Sequence, residues 1–334
     1  MSPGLAVLCR VLLVGGLFLG LWAVMPEERE PVTSQAGLPE AVQDVARRLR
    51  RHVERLCSPP DRSWRRPGVL GETARWIRGL WEGQGYRVET QAIPDMGPDY
   101  VNIIARPPGP FPGGRAVTWI IAHYDTVEGT PGADDNGSGV AVLLETARLV
   151  AGEAGLPVGF AAVTLEEPPF FETPQQGGWV LARSLYRDRA PVAEALVLEM
   201  VGCYDSTPGT QRYPFPVGLL GFPDRGDFVG LVANRASRRV LGPLERAIAS
   251  TGLPVQTLAV PGKGKLLAPV RFSDHAAFWD LGFRAVMVTD TAFYRNPRYH
   301  GPDDTPDTLD YVSMARLAQG LARYLRGTGE AAGE

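Results

Sequence analysis

Apolar residues recur at Val42, Val45, Ala46, Leu49, Val53 and Leu56, the spacing of one helical face, while Arg47, Arg48, Arg50 and Arg51 fall mostly on the other side. This predicts a helix starting at Glu40. A second helix is expected around Glu72 to Trp81, and after Gly83 and Gly85 the pattern changes to extended segments at Tyr86–Ile93 and Tyr100–Ala105. Ala116–Ala122 is a short β-rich run between Gly113–Gly114 and a polar cluster, as a buried strand requires. Next come a helix at Ser138–Val150, a strand at Gly159–Leu165, a helix near Gly178–Arg187 and a strand at Ala195–Met200. Strand Phe228–Val232, helix Ser237–Ser250, strand Ala285–Thr289 and a closing helix Tyr311–Leu325 continue the alternation. Such a β-α-β order predicts an α/β fold, a mostly parallel mixed sheet sandwiched between helices. There is no internal repeat.

The beginning of the chain follows another pattern. Leu5 to Met25 is apolar except for Arg10, and Val11 to Met25 is unbroken by any polar residue. Residues 1–25 are therefore expected to be a targeting segment, either a signal anchor or a cleaved signal peptide; the poor small-x-small signature around Leu21-Trp22-Ala23 favours the anchor. Arg10 precedes the run and Glu27, Glu28 and Glu30 follow it, which places the remainder on the extracytoplasmic side of the membrane. Residues 26–39, rich in Pro and Glu, read as a tether, and 40–330 as one catalytic domain. With 44% hydrophobic and 21% charged residues, that domain has enough apolar material for a large core. A formal net charge of -3 argues against nucleic acid as a partner. Of three cysteines only Cys57 and Cys203 lie beyond the apolar segment, and the sequence leaves open whether they pair.

Open α/β sheets form sites at the carboxyl ends of their strands, and this chain's metal-capable groups gather there. The strand ending at Ala122 runs into His123-Tyr124-Asp125, and the loop after it reads Gly132-Ala133-Asp134-Asp135-Asn136-Gly137-Ser138-Gly139. The next strands lead to Glu166-Glu167 and to Glu199, and the last is followed by Tyr299-His300 and Asp303-Asp304-Thr305. Imidazole mixed with carboxylate suits Zn²⁺ better than Ca²⁺ or Mg²⁺. Two histidines and three carboxylates exceed the needs of one catalytic zinc, so a two-metal hydrolytic centre is expected.

These motifs together resemble the two-zinc aminopeptidases, whose fold is shared with glutamate carboxypeptidase II, glutaminyl cyclase and the transferrin receptor ectodomain. The likeness runs from about Val101 to Leu325 and also includes Ser273-Asp274-His275. It implies two Zn²⁺ per chain, with Asp134 bridging them, His123 and Glu199 completing one site, and Glu167 and His300 the other. It implies Glu166 as the base and a cis peptide between Asp134 and Asp135. In this family Asp often stands where this chain has Glu199. Asp125 and Asp304 are expected to accept from the ring N–H groups of His123 and His300 that face away from metal. Tyr299 is a candidate oxyanion donor, and Asp274 and His275 are expected to support the site from behind.

The expected activity is removal of N-terminal residues from peptides. Glu166 would take a proton from an activated water and return it to the leaving amine. An aminopeptidase is preferred to a carboxypeptidase because no arginine cluster adjoins the motifs, although Arg295 and Arg298 keep that question open. The rivals are a single-zinc glutaminyl cyclase and a non-catalytic binding domain of the same fold. Pro168-Pro169-Phe170-Phe171 follows Glu167 directly, so Phe170 and Phe171 are expected either to wall the substrate site or to pack their loop.

Overall fold

The computed structural model describes residues 22–23, 37–109, 114–153 and 155–330. Of residues 1–25, expected to be a targeting segment, only Trp22 and Ala23 lie within the described residues, and most of residues 26–39, read as a tether, lie outside them. Among the described residues no helix is long and apolar enough to cross a membrane.

A mixed sheet organises the chain. Its strands are β1 (Trp22–Ala23), β2 (Arg87–Ala92), β3 (Val101–Arg106), β4 (Val117–His123), β5 (Val158–Val163), β6 (Val192–Glu199), β7 (Val229–Asn234), β8 (Val255–Val260) and β9 (Ala285–Thr289). They lie in the order β1-β8-β7-β9-β6-β4-β5-β3-β2, with β1 as a two-residue strand at one edge. The centre, β5-β4-β6-β9, is parallel throughout, and β7 pairs parallel with β8. Antiparallel pairing is confined to β7 against β9 and to the flanks. Because the four central strands run together, their carboxyl ends emerge along one rim, with His123 beside Val163 and Glu199 beside Thr289.

Among the described residues, seven α-helices cover the sheet: α1 (Glu40–Leu56), α2 (Pro67–Gly83), α3 (Gly139–Leu149), α4 (Gly177–Arg187), α5 (Arg238–Ala249), α6 (His275–Asp280) and α7 (Tyr311–Glu330). The face of α1 deduced from spacing is the buried one: Val42, Val45, Leu49, Val53 and Leu56. Every residue of β4 is buried, as expected of a parallel strand covered on both sides. Its successive side chains divide between two cores. Ile120 and Ala122 join α1, α2, α3, α5 and α7, whereas Trp119 and Ile121 join α4 and α6 on the opposite face.

Strands β1 and β8 and helix α6 had no counterpart in the sequence pattern. Strand β8 lies near the edge and buries only its last four residues, so it lacks clean alternation. Helix α6 spans six residues and is too short to display a helical period. Cys57 and Cys203 are both free thiols.

Candidate metal centre

The strand rim brings two donor groups together. His123, Asp135 and Glu199 form one, and Asp135, Glu167 and His300 form the other, each with its ligand-capable atoms within 4.8 Å of one another. Asp135 belongs to both. Its Oδ1 lies 3.5 Å from His123 Nε2 and its Oδ2 3.1 Å from His300 Nε2. Glu199 Oε2 is 3.5 Å from His123 Nε2, and Glu167 Oε2 is 3.3 Å from His300 Nε2.

The donor chemistry fits zinc. His123 Nε2, His300 Nε2, Asp135 Oδ1 and Glu167 Oε1 are buried yet make no hydrogen bond, although their neighbours are close. Unpaired buried polar atoms are costly, and four converging on two points define seats for cations. Charge supports this. Burial raises the Glu166 carboxyl well above its usual range, with Glu199 and Glu167 adding to the effect. Burial together with Asp135 pushes Glu167 up to about 8. Burial alone would depress His123 and His300, yet Glu199 and Glu166 hold the first well above its ordinary value, and Asp135 and Glu167 raise the second to about 10. Protons held this tightly in a carboxylate cluster are those that a bound divalent cation displaces.

Asp134 takes no part in either donor group, which corrects the bridging role expected of it. The two neighbouring aspartates of the loop face different ways. Asp134 Oδ1 accepts from the Gly202 N–H at 2.9 Å and its Oδ2 from Asn296 Nδ2 at 2.7 Å. It is committed inward, against Asp290, and leaves the space between the histidines to Asp135. The cis peptide is displaced by the same one residue, occurring at Asp135–Asn136 and not at Asp134–Asp135.

Asp304 also departs from its expected role. Its carboxylate does not serve His300; it accepts from the backbone N–H groups of Asp134, at 2.9 and 3.2 Å, and Asp135, at 3.1 Å. Asp125 acts in parallel, accepting from the N–H groups of Glu166 and Glu167 at 3.2 and 3.1 Å. The nearer partner of His123 Nδ1 is the Asp125 backbone carbonyl at 3.2 Å, with Asp125 Oδ1 at 3.5 Å. Each of these aspartates thus grips the backbone of a dipeptide that carries metal-capable groups.

Three further residues of the motifs, to which the sequence assigned no role, brace the centre. Ser273 Oγ donates to Glu199 Oε2 at 2.7 Å. Asn136 donates from Nδ2 to the Leu198 carbonyl and accepts from the Met200 N–H, and Ser138 Oγ accepts from the Val201 N–H. The aspartate loop is thereby stitched to the end of β6 on both sides of Glu199. The Asn and Ser of the glycine-rich loop were visible in sequence, but their partners were not.

The remaining candidates are distributed around this centre. Glu166 lies within 3.9 Å of His123 Nε2 but outside both donor groups. Tyr299 stacks on the His300 ring at 3.7 Å between centroids. Asp274 is buried and accepts from Gln176 Nε2. His275 turns away, its Nε2 on the Val270 carbonyl and its ring against Trp279. Phe170 packs edge-on against Trp64, and Phe171 against Phe272. The apolar cavity bordering Glu199 and Tyr299 is lined by Leu231, Val232, Phe272, Met287 and Phe293 among others, and by neither Phe170 nor Phe171.

Residues 102–325 match peptidase family M28. The chain is 38% identical over 305 residues to the uncharacterized protein YfbL of Escherichia coli, covering 88% of this chain and 90% of that one. Among solved structures, the LapA aminopeptidase of Legionella pneumophila superposes with a TM-score of 0.67 at 17% identity, over 91% of this chain and 78% of that one. The Porphyromonas gingivalis glutaminyl cyclase gives 0.63 at 18%, over 85% and 98%. At such identities these two likenesses establish the fold.

Proposed function

The chain belongs to peptidase family M28, and from that membership we propose that it is an exported zinc-dependent aminopeptidase acting on peptides. The observation that carries this reading is Asp135, which turns one carboxylate oxygen toward each histidine and so joins two three-residue donor groups. His123, Asp135 and Glu199 would hold one zinc ion, and Asp135, Glu167 and His300 the second. When bound, such ions polarise a substrate carbonyl and make water acidic enough to attack it near neutral pH.

Glu166 is the proton carrier in this reading. It sits beside the donor groups without belonging to them, so its carboxylate is free to take a proton from the attacking water and pass it to the departing amine. Asp125 keeps it in place through the Glu166 N–H. Tyr299, stacked on His300, orients that ring and borders the apolar cavity.

Attack at an N-terminal residue is favoured over attack at a C-terminal one. Arg295 is buried, its Nε donating to Gln211 Oε1 and its Nη1 to the Cys203 and Phe228 carbonyls, which leaves only the buried Nη2 without a partner. It is poorly placed to receive a substrate carboxylate. The apolar cavity beside Glu199 suits the side chain of an apolar first residue. The structural likeness to the Legionella LapA aminopeptidase supports this reading. Export rests on the apolar segment before Met25 and the charges that flank it.

Purified full-length protein should contain two zinc ions per chain and hydrolyse leucine anilides. Chelation should abolish turnover and zinc should restore it, while an acetylated amino terminus should block cleavage. One metal per chain with cyclisation of N-terminal glutamine would instead establish glutaminyl cyclase chemistry, as in the Porphyromonas enzyme.

A further inference from the structure

Arg62 is among the largest fully buried side chains of the protein, at 0% exposure. Among the described residues no carboxylate lies within ion-pair distance of it. A buried guanidinium without a counter-ion is expensive unless its N–H groups are satisfied, and here backbone carbonyls satisfy them. Nε donates to the Tyr124 carbonyl at 2.9 Å, Nη1 to the carbonyls of Leu56 at 2.9 Å and Pro131 at 2.7 Å, and Nη2 to that of Gly132 at 2.9 Å.

The location of those carbonyls matters more than their number. Tyr124 directly follows His123, and Gly132 stands three residues before Asp135. One planar, rigid group therefore bonds at once to both ends of the segment that leads from β4 to the shared aspartate, at Tyr124 and at Pro131–Gly132. His123 closes β4 immediately before this segment and Asp135 follows it, and their Nε2 and Oδ1 lie 3.5 Å apart. Arg62 is itself seated by Thr126, whose Oγ1 accepts from the Arg62 N–H at 2.9 Å. Gly132, at φ +61°, lacks the Cβ that would collide with Thr126, the Asp135 carbonyl and Arg62 Nη2. The cradle is built from both sides.

We propose that Arg62 is a positioning residue for the metal centre, setting the spacing between His123 and Asp135 by spanning the carbonyls of Tyr124, Pro131 and Gly132. The inference rests on the metal-binding part of the function proposed above, but not on peptide hydrolysis. Lysine keeps the charge and cannot reproduce the fork, since its single ammonium reaches fewer carbonyls from one point.

The test reads metal binding directly. For Arg62→Lys, zinc affinity measured by chelator competition should fall roughly ten- to a hundredfold, the usual effect of losing a group that orients ligands. The visible spectrum of the cobalt-substituted protein should change, while the melting temperature of the metal-free protein stays within a few degrees of the parent. Thr126→Val, which loosens the seat and retains the arginine, should shift affinity in the same direction by less, and it carries the test if Arg62→Lys does not fold. Parental zinc affinity and cobalt spectrum in the folded variants would overturn the proposal. So would a lower melting temperature of metal-free protein with affinity unchanged, which would make Arg62 a purely structural clamp. Absence of peptidase activity in the parent protein bears on the proposed function only, since zinc affinity and the cobalt spectrum are read without it.

Discussion

Asp134 and Asp135 are chemically identical neighbours with different roles, and backbone direction alone separates them. Asp135 faces both histidines, whereas Asp134 accepts from Gly202 and Asn296. Asp135→Asn should therefore weaken both zinc sites together, since an amide is a poor ligand for either ion. Asp134→Asn removes no ligand and should retain two zinc ions per chain, with an affinity loss on the order of 10–100-fold at most through the loosened loop. Metal analysis across a chelator series separates the two, and equal loss in both variants would remove the distinction. Glu166→Gln makes the complementary case: full metal content with most turnover lost, because the amide cannot accept a proton. Near-normal kcat in fully loaded protein would exclude Glu166 as the base.

Helix α6 shows how an element too short for sequence patterning acquires definition from its surroundings. Ser273, two residues before it, donates to Glu199, and His275 opens it with a ring enclosed between Val270 and Trp279. Burial lowers His275 from 6.5 to about 4, with Arg271 acting in the same direction. The folded ring is therefore neutral where the unfolded one already carries a proton, and the unfolded chain binds more protons between those values. His275 contributes its full stability above pH 6.5 and loses it as pH falls toward 4. At pH 5 the loss amounts to roughly 2 kcal/mol. Urea unfolding of metal-free protein at pH 7 and pH 5 should show the parent's advantage over His275→Gln shrinking by about that amount. An advantage independent of pH would mean that the ring is not held neutral.

At the scale of the molecule, residues distant in sequence are assembled around a rim where four parallel strands end. The apolar cavity there draws on β7 and β9 and on loops carrying Phe272 and Phe293. Phe293, partly exposed and packed near Tyr299, stands at its wall. Phe293→Ala should lower kcat/KM for leucine and phenylalanine substrates more than for alanine, by about 1–3 kcal/mol. Phe170→Ala, which removes a contact with Trp64, should leave that selectivity unchanged and act on thermal stability. The opposite pattern would return the substrate wall to the Phe170-Phe171 loop. Periodicity along the chain was sufficient for the longer helices and the central strands, because burial on one or two faces leaves a local imprint on residue type. The order of strands and motifs also put His123 and Glu199 at the ends of β4 and β6 and Glu167 just past β5, and the structure brings them together with His300, which lies well beyond the end of β9. Spacing held no information about which of two adjacent aspartates faces inward, about Asp304 gripping the backbone of the aspartate loop, or about a buried arginine spanning carbonyls from residues 56 to 132. Those depend on where a side chain points once distant segments meet. Hydrogen-bond directions exist only in three dimensions, and here the packed sheet rim set them.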